Sequence, residues 1–191
     1  GIPDAETDFW GVYIQNEIRI VGLAGLPGEF FLVPGLRVDN YVIENAAGLD
    51  LDADELSPKL ALSYAPQEWL MLFASYAHGF RAPNMTETFA TGLHFSIPGQ
   101  GSNSFVPNPD LKPETNDTFE YGLGMQFYDL WSDNDSLRFK LSRFDTDADD
   151  YIDLEVNFSF APVCCGTSRS VNVSRAELWG YEFEGAYENR H

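Results

Sequence analysis

Thr118-Phe119-Glu120-Tyr121-Gly122-Leu123-Gly124-Met125-Gln126-Phe127 decides the fold. Every second residue is large and apolar, and those between are polar or glycine. Successive side chains leave a strand on opposite sides, so a period of two marks a strand with unlike faces. The pattern recurs in both directions. From Thr7 to Val21, Trp10, Val12, Ile14, Ile18 and Ile20 oppose Tyr13, Gln15, Glu17 and Arg19. Phe30, Leu32, Leu36 and Val38 then alternate with Gly35, Arg37 and Asp39, with Pro34 expected to interrupt or bulge that strand. Leu60, Leu62 and Tyr64 define a third strand over Ser57 to Ala65, and Trp69 to Phe80 a fourth with two fairly apolar faces. Leu137, Phe139 and Leu141 open a sixth, and Trp179, Tyr181, Phe183 and Tyr187 line a seventh.

The connections alternate in length. Gly22 to Gly28, Pro66-Gln67-Glu68 and Leu130 to Asp135 read as short turns. The acidic stretch Glu44 to Glu55, the segment Phe80 to Thr115 and the cysteine-bearing segment read as long loops. A soluble sandwich would hide the apolar faces and carry loops of similar length at both ends. Short turns at one end and long loops at the other fit an outer-membrane barrel, apolar toward lipid and polar toward the lumen. The expected fold is therefore all-β, an antiparallel meander of about seven strands. Lipid leaves no backbone group unpaired, and bacterial barrels start at 8 strands, so residues 1–191 read as part of a larger barrel.

Composition sets the outer limits. A net charge of −19 argues against nucleic acid, whose phosphates need a basic footprint. No apolar run approaches the ~18 residues of a transmembrane helix. Gly1-Ile2-Pro3-Asp4 lacks the basic and apolar regions of a signal peptide, as expected if a signal is removed or the sequence starts mid-protein. Cys164 and Cys165 are adjacent, which makes neither a disulfide framework nor a zinc motif.

Catalytic patterns are poor. Gly166-Thr167-Ser168-Arg169-Ser170 departs from the nucleophile elbow at its fifth position. Asp145, Asp147, Asp149 and Asp150 have the alternation of a calcium loop, but Asp150 stands where glycine is needed and Val156 where glutamate is needed. Of the three histidines, His191 is terminal and His78 sits in a strand. His94 lies inside the long Phe80–Thr115 segment, where binding residues tend to gather. Imidazole suits iron, and one axial histidine is a standard haem ligand.

Two boxes flank that histidine. Phe80-Arg81-Ala82-Pro83 and Asn108-Pro109-Asp110-Leu111 resemble the paired boxes of TonB-dependent outer-membrane haem and haemoglobin receptors. The similarity continues through Pro113-Glu114-Thr115-Asn116, Glu120-Tyr121-Gly122, Phe144-Asp145-Thr146, Asp150-Tyr151-Ile152 and Trp179-Gly180. Asp110 departs from the asparagine usual in haem receptors and is shared with other TonB-dependent receptors. The resemblance implies a barrel of 22 strands in the outer membrane of a Gram-negative bacterium. It implies a transporter with no enzymatic role, and haem as the transported ligand, taken alone or from a carrier such as haemoglobin. His94 would ligate the iron, with Phe80, Arg81, Ala82, Pro83, Asn108, Pro109, Asp110 and Leu111 forming the ligand-binding surround. An N-terminal plug that meets the TonB complex and carries a second haem-ligating histidine has no counterpart here. Two alternatives stand beside it: a siderophore receptor, and a soluble β-rich binding or adhesion module whose acidic loops hold calcium.

Overall fold

The structure is a computed structural model that describes residues 4–46, 48, 50–158 and 165–189. The strands are β1 (Ala5–Gln15), β2 (Ile18–Val21), β3 (Glu29–Asn45), β4 (Asp50–Gln67), β5 (Leu70–Arg81), β6 (Gly92–Ile97), β7 (Gly101–Phe105), β8 (Glu114–Tyr128), β9 (Asp135–Asn157) and β10 (Gly166–Asn189), with one short helix, α1 (Met85–Phe89). They form a single sheet in the order β1-β3-β4-β5-β8-β9-β10-β7-β6, with β2 also on β3. β1 and β2 are one strand in two pieces. Gln15 pairs Gly35 and Ile18 pairs Leu32 with no slip between them. The expected seven long strands are therefore present.

Pro34 disturbs its neighbour instead of its own strand. β3 runs unbroken through the Pro34–Leu60 pair, and the Pro34 carbonyl accepts the Asn16 N–H at 3.2 Å. In an antiparallel ladder one residue's N–H and C=O point the same way. The donor that proline lacks is thus the one Asn16 would have received, and there the partner strand breaks.

Register places all seven apolar faces on one side. Leu123 pairs Leu72 and Leu141, Leu141 pairs Phe183, Leu62 pairs Ala74 and Leu32, and Val38 pairs Val12. Directly paired residues share a face. That face lies open: Phe183 is 73 %, Trp179 63 % and Phe119 47 % exposed. The pairs Lys140–Glu120, Arg138–Glu188 and Arg37–Asp39 sit on the opposite face, whereas Arg143–Asp145 lies on the apolar face at its long-loop edge, with Arg143 over the Trp179 and Tyr181 rings. Glycines on the opposite face make room for neighbours; a Cβ on Gly122 would collide with the Leu141 carbonyl and the Phe73 ring.

The apolar band has two edges. Toward the long-loop end it stops at Trp10, Val38, Leu56, Tyr76, Phe119 and Trp179. The next residues on that face are Asp8, Asn40, Asp54, His78, Asp117 and Glu177. At the short-turn end it closes with Ile20, Phe30, Tyr64, Phe127, Leu137 and Tyr187, where Phe30 stacks on Tyr64 and Trp69 on Phe127. Phe119 to Phe127 is about nine residues, the length a tilted strand needs to cross a bilayer core, and aromatics mark both edges as girdles do.

Above the band the pattern inverts. The inner face turns apolar and buried, with Tyr41, Ile43 and Phe89 packed by Leu51, Ala53, Phe80, Ala82 and Met85, while carboxylates take the outer face. The expected long loop over Glu44 to Glu55 is largely strand here, and so is the acidic cluster compared above with a calcium loop. The acidic residues Asp50 to Glu55 belong to β4, and Asp145 to Asp150 belong to β9. Paired strands that project into water need no apolar face, so acidity there does not signal a loop. Cys165 is disulfide-bonded; Cys164 and His191 lie outside the described residues.

Candidate functional site

The long segment does not hang free. Arg81 ends β5 opposite Glu114, the first residue of β8. Its Nε and Nη2 donate to Glu114 Oε2 and Oε1 at 2.6 and 2.7 Å, and its Nη1 donates to Glu87 Oε2 at 2.9 Å. Glu87 belongs to the capping box of α1: Asn84 Oδ1 accepts the Thr86 and Glu87 N–H groups, and Glu87 Oε2 accepts that of Asn84. Such reciprocal caps satisfy the orphan donors of a helix start. Glu114 Oε1 also accepts the Ile152 N–H at 2.7 Å. The Arg81 hydrogen bonds hold the Glu114 carboxyl below its usual range; burial opposes them, and the Ile152 N–H reinforces them. Pro83 is fully buried beside this clamp, and Phe80 meets Tyr41 with ring centroids 5.9 Å apart.

The second box fastens the returning chain. The Asn108 N–H donates to the Thr88 carbonyl at 2.8 Å, tying the second box to α1. Asn108 Nδ2 donates to the Ser170 carbonyl at 2.8 Å, and its Oδ1 accepts from Arg169 Nη2 at 2.7 Å. Leu111 is buried, Pro109 half-buried and Asp110 exposed. Asn172 brackets Lys112, accepting its N–H and donating to its carbonyl. The polar side chains of Arg81 and Asn108 are therefore consumed by internal bonds that hold the ends of the segment between the boxes.

That segment is the β6–β7 hairpin, turning at residues 98–100. β7 runs parallel to the start of β10, Gly166 beside Asn103 and Ser168 beside Phe105, at the long-loop end. His94 is the extra residue of a bulge: Leu93 pairs Ser104 and Phe95 pairs Asn103. Bulges re-aim side chains and occur beside active sites. The exposed His94 ring lies 4.3 Å from Phe105 and 5.1 Å from Phe95 between centroids, with Phe158 a further 5.5 Å from Phe95. His94 Nδ1 is 2.8 Å from Ser168 Oγ, and among the described residues Nε2 has no hydrogen-bond partner.

The other sequence candidates are engaged elsewhere. His78 is a wall residue with Nδ1 2.9 Å from Asp117 and Nε2 3.4 Å from Glu55. Asp145 is paired with Arg143 and Asp147 with Arg175, and among the described residues no group of three or more His, Cys, Asp or Glu could hold a metal ion. Two features escape the sequence reading. Asn84-x-x-Glu87 carried a legible capping signal; the Ser168–His94 contact did not, because 74 residues separate its partners.

Comparison with known proteins settles the family. The family model for TonB dependent receptor-like, beta-barrel matches residues 2–189, and the chain belongs to that family. It is similar to a hemin receptor of Yersinia pestis, 42% identical over 190 residues, covering 97% of this chain and 27% of that protein. The chain thus spans about a quarter of that relative's length. Among solved structures it is similar to the Serratia marcescens hemophore receptor HasR, in complex with its hemophore HasA and heme. The TM-score is 0.70 at 23% identity, over 97% of this chain and 40% of that one. The Pseudomonas aeruginosa siderophore receptor PirA gives 0.58 at 17% identity, over 94% and 39%. These two likenesses concern the fold alone.

Proposed function

From that membership we propose that the chain is part of the outer-membrane barrel of a receptor that imports haem, with His94 as an axial ligand to the iron. The observation that carries the reading is the placement of His94. It stands on a bulge at the end away from the short turns, its Nε2 without a hydrogen-bond partner among the described residues, beside aromatic rings that suit a porphyrin face. A neutral imidazole is a standard iron ligand in haem proteins. The boxes serve by anchoring the hairpin, so the ligand is pre-positioned before cargo arrives. The relative's description as a hemin receptor supports haem over other cargo. The chemistry is transport without bond making in the cargo. Its energy would come from a TonB complex acting on a plug domain of the whole protein.

His94→Ala in the intact receptor is expected to lower haem affinity at least tenfold, to alter the bound-haem absorption spectrum, and to slow growth on haem as iron source. An unchanged spectrum with unchanged growth would refute the reading. Growth on a ferric siderophore instead of haem would favour siderophore uptake. Comparing haemoglobin with free haem tests whether a carrier is stripped directly.

A further inference from the structure

A ligating histidine must present one nitrogen with a lone pair, and the proton on the other is what decides which. Around His94 that choice is made by a chain of side chains reaching into the protein. The Asn103 Nδ2 donates to the Asn157 carbonyl at 3.0 Å. That orients the amide so that its Oδ1 faces Ser168, and the Ser168 hydroxyl donates to it at 2.6 Å. A serine hydroxyl has one proton. With that proton committed to Asn103, Ser168 Oγ meets His94 Nδ1 at 2.8 Å as an acceptor, so Nδ1 carries the hydrogen. Nε2 then keeps its lone pair and faces away from the relay. Asn103 and Ser168 are both 0 % exposed, so water cannot substitute for either partner. Gly166 leaves the space for this: a Cβ there would strike the Asn157 carbonyl and press on the Asn103 amide.

We propose that Ser168 and Asn103 are positioning residues that lock His94 as the Nδ1–H tautomer and aim Nε2 at the iron, a role that rests on the haem reading above. The three residues come from β6, β7 and β10, so the lock exists only when the hairpin is docked on β10. It therefore couples hairpin docking to ligand competence. Outer partners of this kind fix tautomer and ring orientation, and losing one typically costs about 10–100-fold in affinity.

The test uses the intact receptor with ¹⁵N-labelled histidine, the His94 resonances being assigned by their loss in His94→Ala. In apo wild type they should report Nδ1–H. Ser168→Ala should shift them toward a tautomer mixture and weaken haem binding about tenfold. Ser168→Thr, which keeps the hydroxyl, should restore both. If Ser168→Ala retains the Nδ1–H signature and wild-type affinity while His94→Ala abolishes ligation, the lock is overturned and the haem reading survives. If His94→Ala itself leaves ligation intact, both fall. If Ser168→Ala weakens binding with no tautomer change and Ser168→Thr does not rescue, the effect is packing and the lock is overturned.

Discussion

The boxes and the hairpin between them are built on opposite principles. Arg81, Glu87, Glu114 and Asn108 spend their polar atoms on one another and on neighbouring backbone. Among the described residues the hairpin keeps one strong ligand nitrogen unspent, on a bulge where the other ring nitrogen is held by Ser168. Recognisable motif and reactive group are therefore separate. The motif supplies stiffness, and in the haem reading proposed above the histidine supplies the ligand at a point where stiffness would otherwise be lacking.

The sharpest break of that contrast should come from Arg81→Ala. It strips the counter-charge from Glu114, whose side chain is only 12 % exposed, and from Glu87. Because Arg81 itself is 43 % exposed, the loss at the outer end should be roughly 2 kcal/mol, less than for a wholly buried pair. Faster amide exchange across residues 85–105 would show it. Arg81→Lys should recover only part, since an ammonium cannot reproduce the fork. Asn108→Ala removes two side-chain hydrogen bonds and leaves the Ser170 carbonyl without that donor, a cost of about 1 kcal/mol visible in the same exchange experiment.

Acid should separate the regions more gently. The folded Glu114 carboxyl titrates below its ordinary 4.5. Its stabilising contribution is thus complete above about that pH and is lost as pH falls through the lowered value. Hairpin exchange should quicken there before exchange in the band from Phe119 to Phe127 does. The smallest structural effect belongs to His94→Ala, whose ring is exposed: outer-end stability should change by no more than about 0.5 kcal/mol while haem binding drops. A variant that unfolded the hairpin would erase the distinction between the two regions.

What the sequence discloses follows from range. Within the band, alternation is imposed by two unlike solvents on one strand, so Phe119 to Phe127 and Trp179 to Tyr187 are legible residue by residue. Above it both faces meet water or buried protein, the alternation loses meaning, and Asp50 to Glu55 passes for a loop although it is paired with β3. Local chemistry remains readable at that level; Asn84 and Glu87 announce a helix start three residues apart. The tie from His94 to Ser168 depends on β10 returning beside β7, and no periodicity encodes that.

Haem-loaded intact receptor, solved at a resolution that places the iron, is the most direct test. The haem reading requires iron within bonding distance of His94 Nε2, with Nδ1 still on Ser168 Oγ and the Phe119–Phe127 face toward lipid or detergent. Iron held by other groups with His94 unengaged would contradict it.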